Sequence, residues 1–185
     1  MAAFEYLGVF ISIILGLGIT QLLASFAGVL RDRHLLRLDD TPLAWAAMLV
    51  LLHVQTWWAL FELRDIASWT FLQFAVVLLQ PALLFLLSAL VLPPPGARLD
   101  LGANFAAHRR WFFGLMLALV AASLAKDLVL RGRLPVPANL AFHAVAALAA
   151  LGGWATPGPR VQRALAWAAL VAIAAYIGTL FNRLS

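Results

Sequence analysis

The sequence predicts an all-α protein: a polytopic bundle of six membrane-spanning helices, forming a single transmembrane domain over residues 1–185. Three observations predict it: the composition, the length of the apolar runs, and the punctuation between them. Hydrophobic residues make up 64% of the chain and charged residues only 11%, with a mean hydropathy of +0.95. Soluble domains sit near ~45–50% apolar and ~25% charged. A chain this short leaves much of its surface uncovered, so no water-soluble core hides that many apolar side chains. Lipid is the remaining solvent, and in lipid every backbone N–H and C=O must be satisfied inside a helix or a closed barrel. Barrel strands alternate in character. Here the runs are long, unbroken and rich in Ala, Leu and Gly, so helices follow.

Six runs approach or exceed the ~20 residues that a crossing helix requires: residues 4–30, 42–63, 69–92, 105–130, 138–155 and 160–182. The first follows Met1-Ala-Ala-Phe-Glu5, which lacks a positive leader. It is also too long for the apolar part of a signal peptide, so it is expected to stay as a membrane helix. Thr41 and Pro42 are expected to open the second helix as N-cap and first helical residue. Pro93-Pro94-Pro95-Gly96 stops the third. Pro81, within that helix, removes an N–H and opposes the Val77 carbonyl, so a kink is expected. The stretch 97–110, with His108, Arg109 and Arg110 before Trp111, is expected to begin as an interfacial turn. Pro135-Val136-Pro137 and Pro157-Gly158-Pro159 bracket the fifth helix. The connections are short, so sequence neighbours are expected to pack antiparallel.

Basic residues set direction. One membrane face receives Arg31, Arg33, Arg37, Arg98, Arg109, Arg110, Arg160 and Arg163; the other receives Arg64, Lys126, Arg131, Arg133 and Arg183. Glu5 precedes the first helix and three arginines follow it, so both termini are expected on the outer, periplasmic side. The net charge of +5 reads as anchoring to anionic headgroups, with the lipid bilayer as partner and no nucleic acid. Twelve Arg against one Lys, with abundant Ala, point to a GC-rich bacterial genome and a multi-pass protein of the cell inner membrane. Trp45, Trp111, Trp154 and Trp167 fall toward one interface and Trp57, Trp58 and Trp69 toward the other, as in an aromatic belt.

Small residues carry the packing signal. Gly8, Ser12, Gly16, Thr20, Ala24 and Gly28 recur every four residues in the first helix; Gly114, Ala118 and Ala122 do so in the fourth. Lipid offers no hydrophobic drive between helices, and such stripes let backbones approach closely. Antiparallel packing of the two stripes would bring Glu5 beside Lys126; the alternative is that Lys126 snorkels to the interface or pairs with the adjacent Asp127. A stripe turned to lipid would instead serve a homo-oligomer or a partner membrane subunit.

Ionisable and amide groups at membrane depth are costly and therefore informative. They are Gln21, His53, Gln55, Gln80, Asn139 and His143, with Glu5, Glu62, Lys126 and Asp127 near the outer ends. His143 lies roughly 9 Å in from Pro137, and His53 ~15 Å from the outer end of its helix. Together these ten residues suggest a polar vestibule opening outward, bounded by helices one, two, four and five. The alternative for each residue is a hydrogen bond that fixes helix packing.

There is no cysteine, which removes disulfides, thiolate metal sites and thiol nucleophiles. No paired-histidine metal motif, nucleophile elbow or phosphate-binding Gly loop occurs, and Gly16-Leu17-Gly18 follows no strand. No catalytic residue, metal or cofactor is expected, and the chain is read as a non-enzyme. Three functional readings follow. The first is a small channel-like, transporter-like or solute-binding protein using the vestibule. The second is a structural or accessory subunit packing through its Gly/Ala stripe. The third is a haem protein with His53 and His143 as axial ligands, which requires both imidazoles to face one interior gap.

Overall fold

The computed structural model describes residues 3–66, 68–93 and 100–180. Among these the fold is all-helical, with six helices long and apolar enough to cross a membrane: α1 (Ala3–Arg31), α2 (Asp40–Ala59), α3 (Phe71–Val91), α4 (Leu101–Arg131), α5 (Pro137–Ala155) and α6 (Pro159–Leu180). The chain is thus a multi-pass helical membrane protein. Pro94, Pro95, Gly96, Arg98 and Arg183, used above for a stop signal and for orientation, lie outside the described residues, as do residues 181 and 182 of the sixth predicted span.

Helix ends follow from local chemistry. Asp39, not Thr41, caps α2: its Oδ1 accepts from the Thr41 N–H at 2.8 Å, and Pro42 falls inside the first turn. A carboxylate satisfies that orphan donor at the positive end of the helix better than a hydroxyl. One 3₁₀ turn, Leu60–Leu63, extends α2. Thr70 and Gln73 form a capping box on α3, with Gln73 N donating to Thr70 Oγ1 at 3.2 Å and Thr70 N to Gln73 Oε1 at 2.8 Å. Asp100 caps α4 by accepting from Ala103 N at 2.9 Å. The helix therefore starts at Leu101 rather than near 105, and His108, Arg109 and Arg110 lie within it. Gly132, at φ 65°, ends α4 in the left-handed region that glycine enters without strain.

α2, α6, α5, α4 and α3 form a closed ring in which each helix packs on the next, and α1 lies outside it against α3 and α2. The expected pairing of α1 with α4 is therefore not formed, because α3 stands between them. The connections α1–α2, α3–α4 and α5–α6 share one face, here the odd-loop face; α2–α3 and α4–α5 share the other, the even-loop face. Polar contacts confirm the register. On the odd-loop face Arg37 meets Asp100 at 3.7 Å and Arg163 meets Asp40 at 2.7 Å. On the even-loop face Arg131 donates to Glu62 at 2.6 Å.

The seam that buries α1 is not the four-residue stripe. It is Leu7, Ile11, Leu15, Gly18, Leu22, Ser25 and Val29, whose spacings alternate near the helical period. Spacing by four overshoots each turn by about 40°, so the six-residue stripe winds roughly halfway round the helix. Gly16, Thr20 and Ala24 consequently face outward. A Cβ added to Gly8, Gly16 or Gly114 would meet nothing within 4 Å. Ala118 is also exposed, and Ala122 is buried.

The odd-loop half of the ring is closed by an aromatic cluster. Trp45, Phe105, Phe112 and Phe113 are each at most 3% exposed. Their rings meet edge-on, with centroids 5.2 Å apart for Phe105–Phe112, 5.3 Å for Trp45–Phe112 and 5.5 Å for Trp45–Phe113. Such pairs add about 0.5–1.5 kcal/mol each beyond area burial. Trp45 is thus a core residue and not part of the aromatic belt, whereas Trp57, Trp111, Trp154 and Trp167 are exposed.

Candidate functional site

Above the aromatic cluster, toward the even-loop face, the ring encloses a cavity of about 210 Å³ lined by α2, α4, α5 and α6, with Gln80 contributed by α3. It is smaller than the ~300–1,000 Å³ of pockets that hold drug-sized ligands. Its volume still corresponds to several waters at roughly 30 Å³ each. α2 and α4 meet through Trp45, Phe112 and Phe113, and the cavity occupies the gap between them beyond that contact.

Depth sorts its lining by polarity. Met48, Leu52, Met116, Leu119, Ala149 and Ala169 surround the inner part, with Trp45 at the floor. Gln55, Gln80, Ser123 and His143 lie at mid-depth. Lys126, Asp127, Asn139 and Tyr176 follow, and exposed Glu62 and Arg131 stand at the rim. The gradient runs along the helices because each contributes its even-loop end to the polar side.

A hydrogen-bond network fixes these groups. Lys126 Nζ donates to Gln80 Oε1 at 3.2 Å, and Gln80 Nε2 donates to Thr56 Oγ1 at 3.4 Å. Lysine can only donate, so this contact fixes the orientation of the Gln80 amide. The residue before Pro81 thereby ties α2, α3 and α4 together at one level. His143 Nδ1 donates to the Asn139 carbonyl at 2.9 Å. Its Nε2 shares a hydrogen bond with the Ser123 hydroxyl at 2.9 Å. Tyr176 donates to Asn139 Oδ1 at 3.1 Å, joining α6 to α5. Arg131 serves two carboxylates, Glu62 at 2.6 Å and Asp127 at 3.8 Å.

Seven of the ten residues singled out from the sequence line this cavity: Gln55, Glu62, Gln80, Lys126, Asp127, Asn139 and His143. Three do not. Glu5 is exposed on α1, outside the ring. Gln21, also on α1, donates to Ser25 at 3.5 Å. His53 is fully buried on the far side of α2, against α1. The fourth wall is α6, not α1. The charges acting on Lys126 are Asp127, Glu62 and Arg131, and its hydrogen bond goes to Gln80 rather than to the expected Glu5.

His53 illustrates the packing alternative. Nδ1 donates to the Leu49 carbonyl at 2.7 Å, and Nε2, without a hydrogen-bond partner among the described residues, rests on Gly18. A Cβ at Gly18 would collide with that nitrogen. His53 and His143 therefore do not face a common gap, which is the geometry a bis-histidine haem would need. Among the described residues no cluster of three or more metal-ligating side chains occurs. Sequence reasoning missed Ser123, Arg131 and Tyr176. Tyr176 continues the α6 series Ala164, Ala168, Ala172, and that break from small to large was the signal present.

Comparison with protein-family models, curated proteins and solved structures gave no match for this chain. The reading of the site accordingly rests on its geometry.

Proposed function

We propose that this chain is a membrane protein that binds a small, partly polar solute in the α2–α4–α5–α6 cavity and presents it to one side of the bilayer. One observation carries the reading: the enclosed space is polar at one end and apolar at the other, and aromatic rings block it beneath. A packing-only bundle has no use for an unfilled gap at membrane depth, since lost contacts cost stability. The blocked floor favours a binding or alternating-access role over an open channel. The Arg-rich, Ala-rich composition favours a bacterial inner membrane, and the arginines after α1 favour an outward-facing mouth.

The test is cavity filling. Purified protein should gain thermal stability with 1-octanol or octanoate, following the logarithm of ligand over Kd. Ala169→Phe and Ala172→Phe should abolish that gain. Leu148→Phe, on the 68%-exposed lipid face, should keep it. Equal gains in all four proteins would contradict the proposal.

A second reading has its own observation. Gly16, Thr20 and Ala24 turn outward from α1 with open space beside Gly16. That supports an accessory role in which another membrane helix packs on α1.

A further inference from the structure

We infer that the solute carries a single oxyanion head, a carboxylate or phosphate, held by Lys126, with its apolar body directed toward Met48 and Met116. This inference rests on the solute-binding reading and specifies the ligand class.

The pairing of charges in the cavity points this way. Arg131 occupies both nearby carboxylates, Glu62 at 2.6 Å and Asp127 at 3.8 Å. Lys126, one turn deeper, makes its hydrogen bond to a neutral amide oxygen, Gln80 Oε1 at 3.2 Å. An ammonium has three donors, so two remain for an acceptor in the cavity. The neighbouring polar groups are engaged with one another: Tyr176 with Asn139 Oδ1, and Ser123 with His143 Nε2. Lys126 is thus the deepest cationic group of the wall, and among the described residues it makes no ion pair within 4 Å, whereas Arg131 makes two. A point charge away from bulk water prefers a charged acceptor, because ionic hydrogen bonds strengthen as the dielectric falls. Below that level the lining is apolar down to Trp45. A headgroup at Lys126 therefore leaves a short hydrocarbon body as the part that fits beneath it. The cavity volume of about 210 Å³ limits this body to a small amphiphile, well short of a two-chain lipid.

Calorimetric titration of the full chain in lipid nanodiscs separates the possibilities. The probes are octanoate, octyl phosphate and 1-octanol, which share a tail and differ in head. The wild-type protein should bind octanoate or octyl phosphate roughly 10- to 100-fold more tightly than 1-octanol, the range expected of a charge-assisted contact. Whichever anion binds more tightly distinguishes the two headgroups. Lys126→Met keeps the apolar stem and should remove that preference while retaining 1-octanol binding. Lys126→Gln, which retains a neutral N–H donor group, guards against a folding defect in the methionine variant. Equal wild-type affinity for octanol and the anions, or an unchanged preference in both variants, would overturn the assignment to Lys126. Failure of the wild-type protein to bind any of the three would instead overturn the solute-binding reading itself.

Discussion

At the scale of single residues, the close approaches in this protein occur where one side chain needs a missing Cβ. Gly18 lies under the His53 ring, which its Nδ1 bond to Leu49 holds in place at 0% exposure. Gly16, one half-turn away, has open space. Gly18→Ala should therefore cost about 1–3 kcal/mol through overpacking. Gly16→Ala should gain ~0.5–1 kcal/mol by removing a mid-helix glycine. Unfolding in mixed detergent micelles reads both; equal effects would contradict this assignment of the α1 seam. The difference was not legible in the sequence, where both glycines sit in one Gly-rich run. Which of them meets α2 depends on the angular position of His53, and only tertiary packing supplies that. For the same reason the depth of His53 was readable but its direction was not.

The elements themselves were legible to within about four residues at each end, because lipid imposes a minimum length and short polar segments mark its limits. What the apolar runs did not encode was how the helices neighbour one another. Ala and Leu pack against any partner, so the choice of α6 over α1 as the fourth wall left no periodic signature. Caps were partly legible: prolines were visible, whereas the acidic caps at Asp39 and Asp100 are single residues. The C-terminal end of α5 shows how a distant residue supplies a cap. Arg109 of α4 donates to the carbonyls of Gly153 and Trp154, and Gln162 of α6 donates to Gly153 at 2.9 Å and Thr156 at 2.6 Å. Positive charge at a helix C-terminus also opposes its dipole. Arg109→Ala should lower stability by about 1 kcal/mol and loosen α5 first. Hydrogen exchange monitored along the chain should place the faster amides in residues 150–156 on α5; uniform acceleration across all helices would argue against a capping role.

On the scale of the molecule, the ring of five helices explains why seven sequence-selected polar residues share one cavity. Each lies at the even-loop end or middle of its helix, and the ring turns those positions inward. Composition made depth visible, and closure of the ring converted shared depth into proximity. Beneath them, four aromatic rings lie between the cavity and the odd-loop face, which supports the one-sided access proposed above.

The absence of native cysteine permits a direct test of that one-sided cavity. Ser123→Cys places a thiol on the cavity wall at mid-depth, where Ser123 now contacts His143. In sealed vesicles of known orientation, a membrane-impermeant maleimide added on the even-loop side should label Cys at 123, and octanoate should slow the reaction. The same reagent confined to the odd-loop side should leave it unmodified. Labelling from both sides, or from neither while a control thiol in place of Leu134 reacts on the even-loop side, would contradict the account.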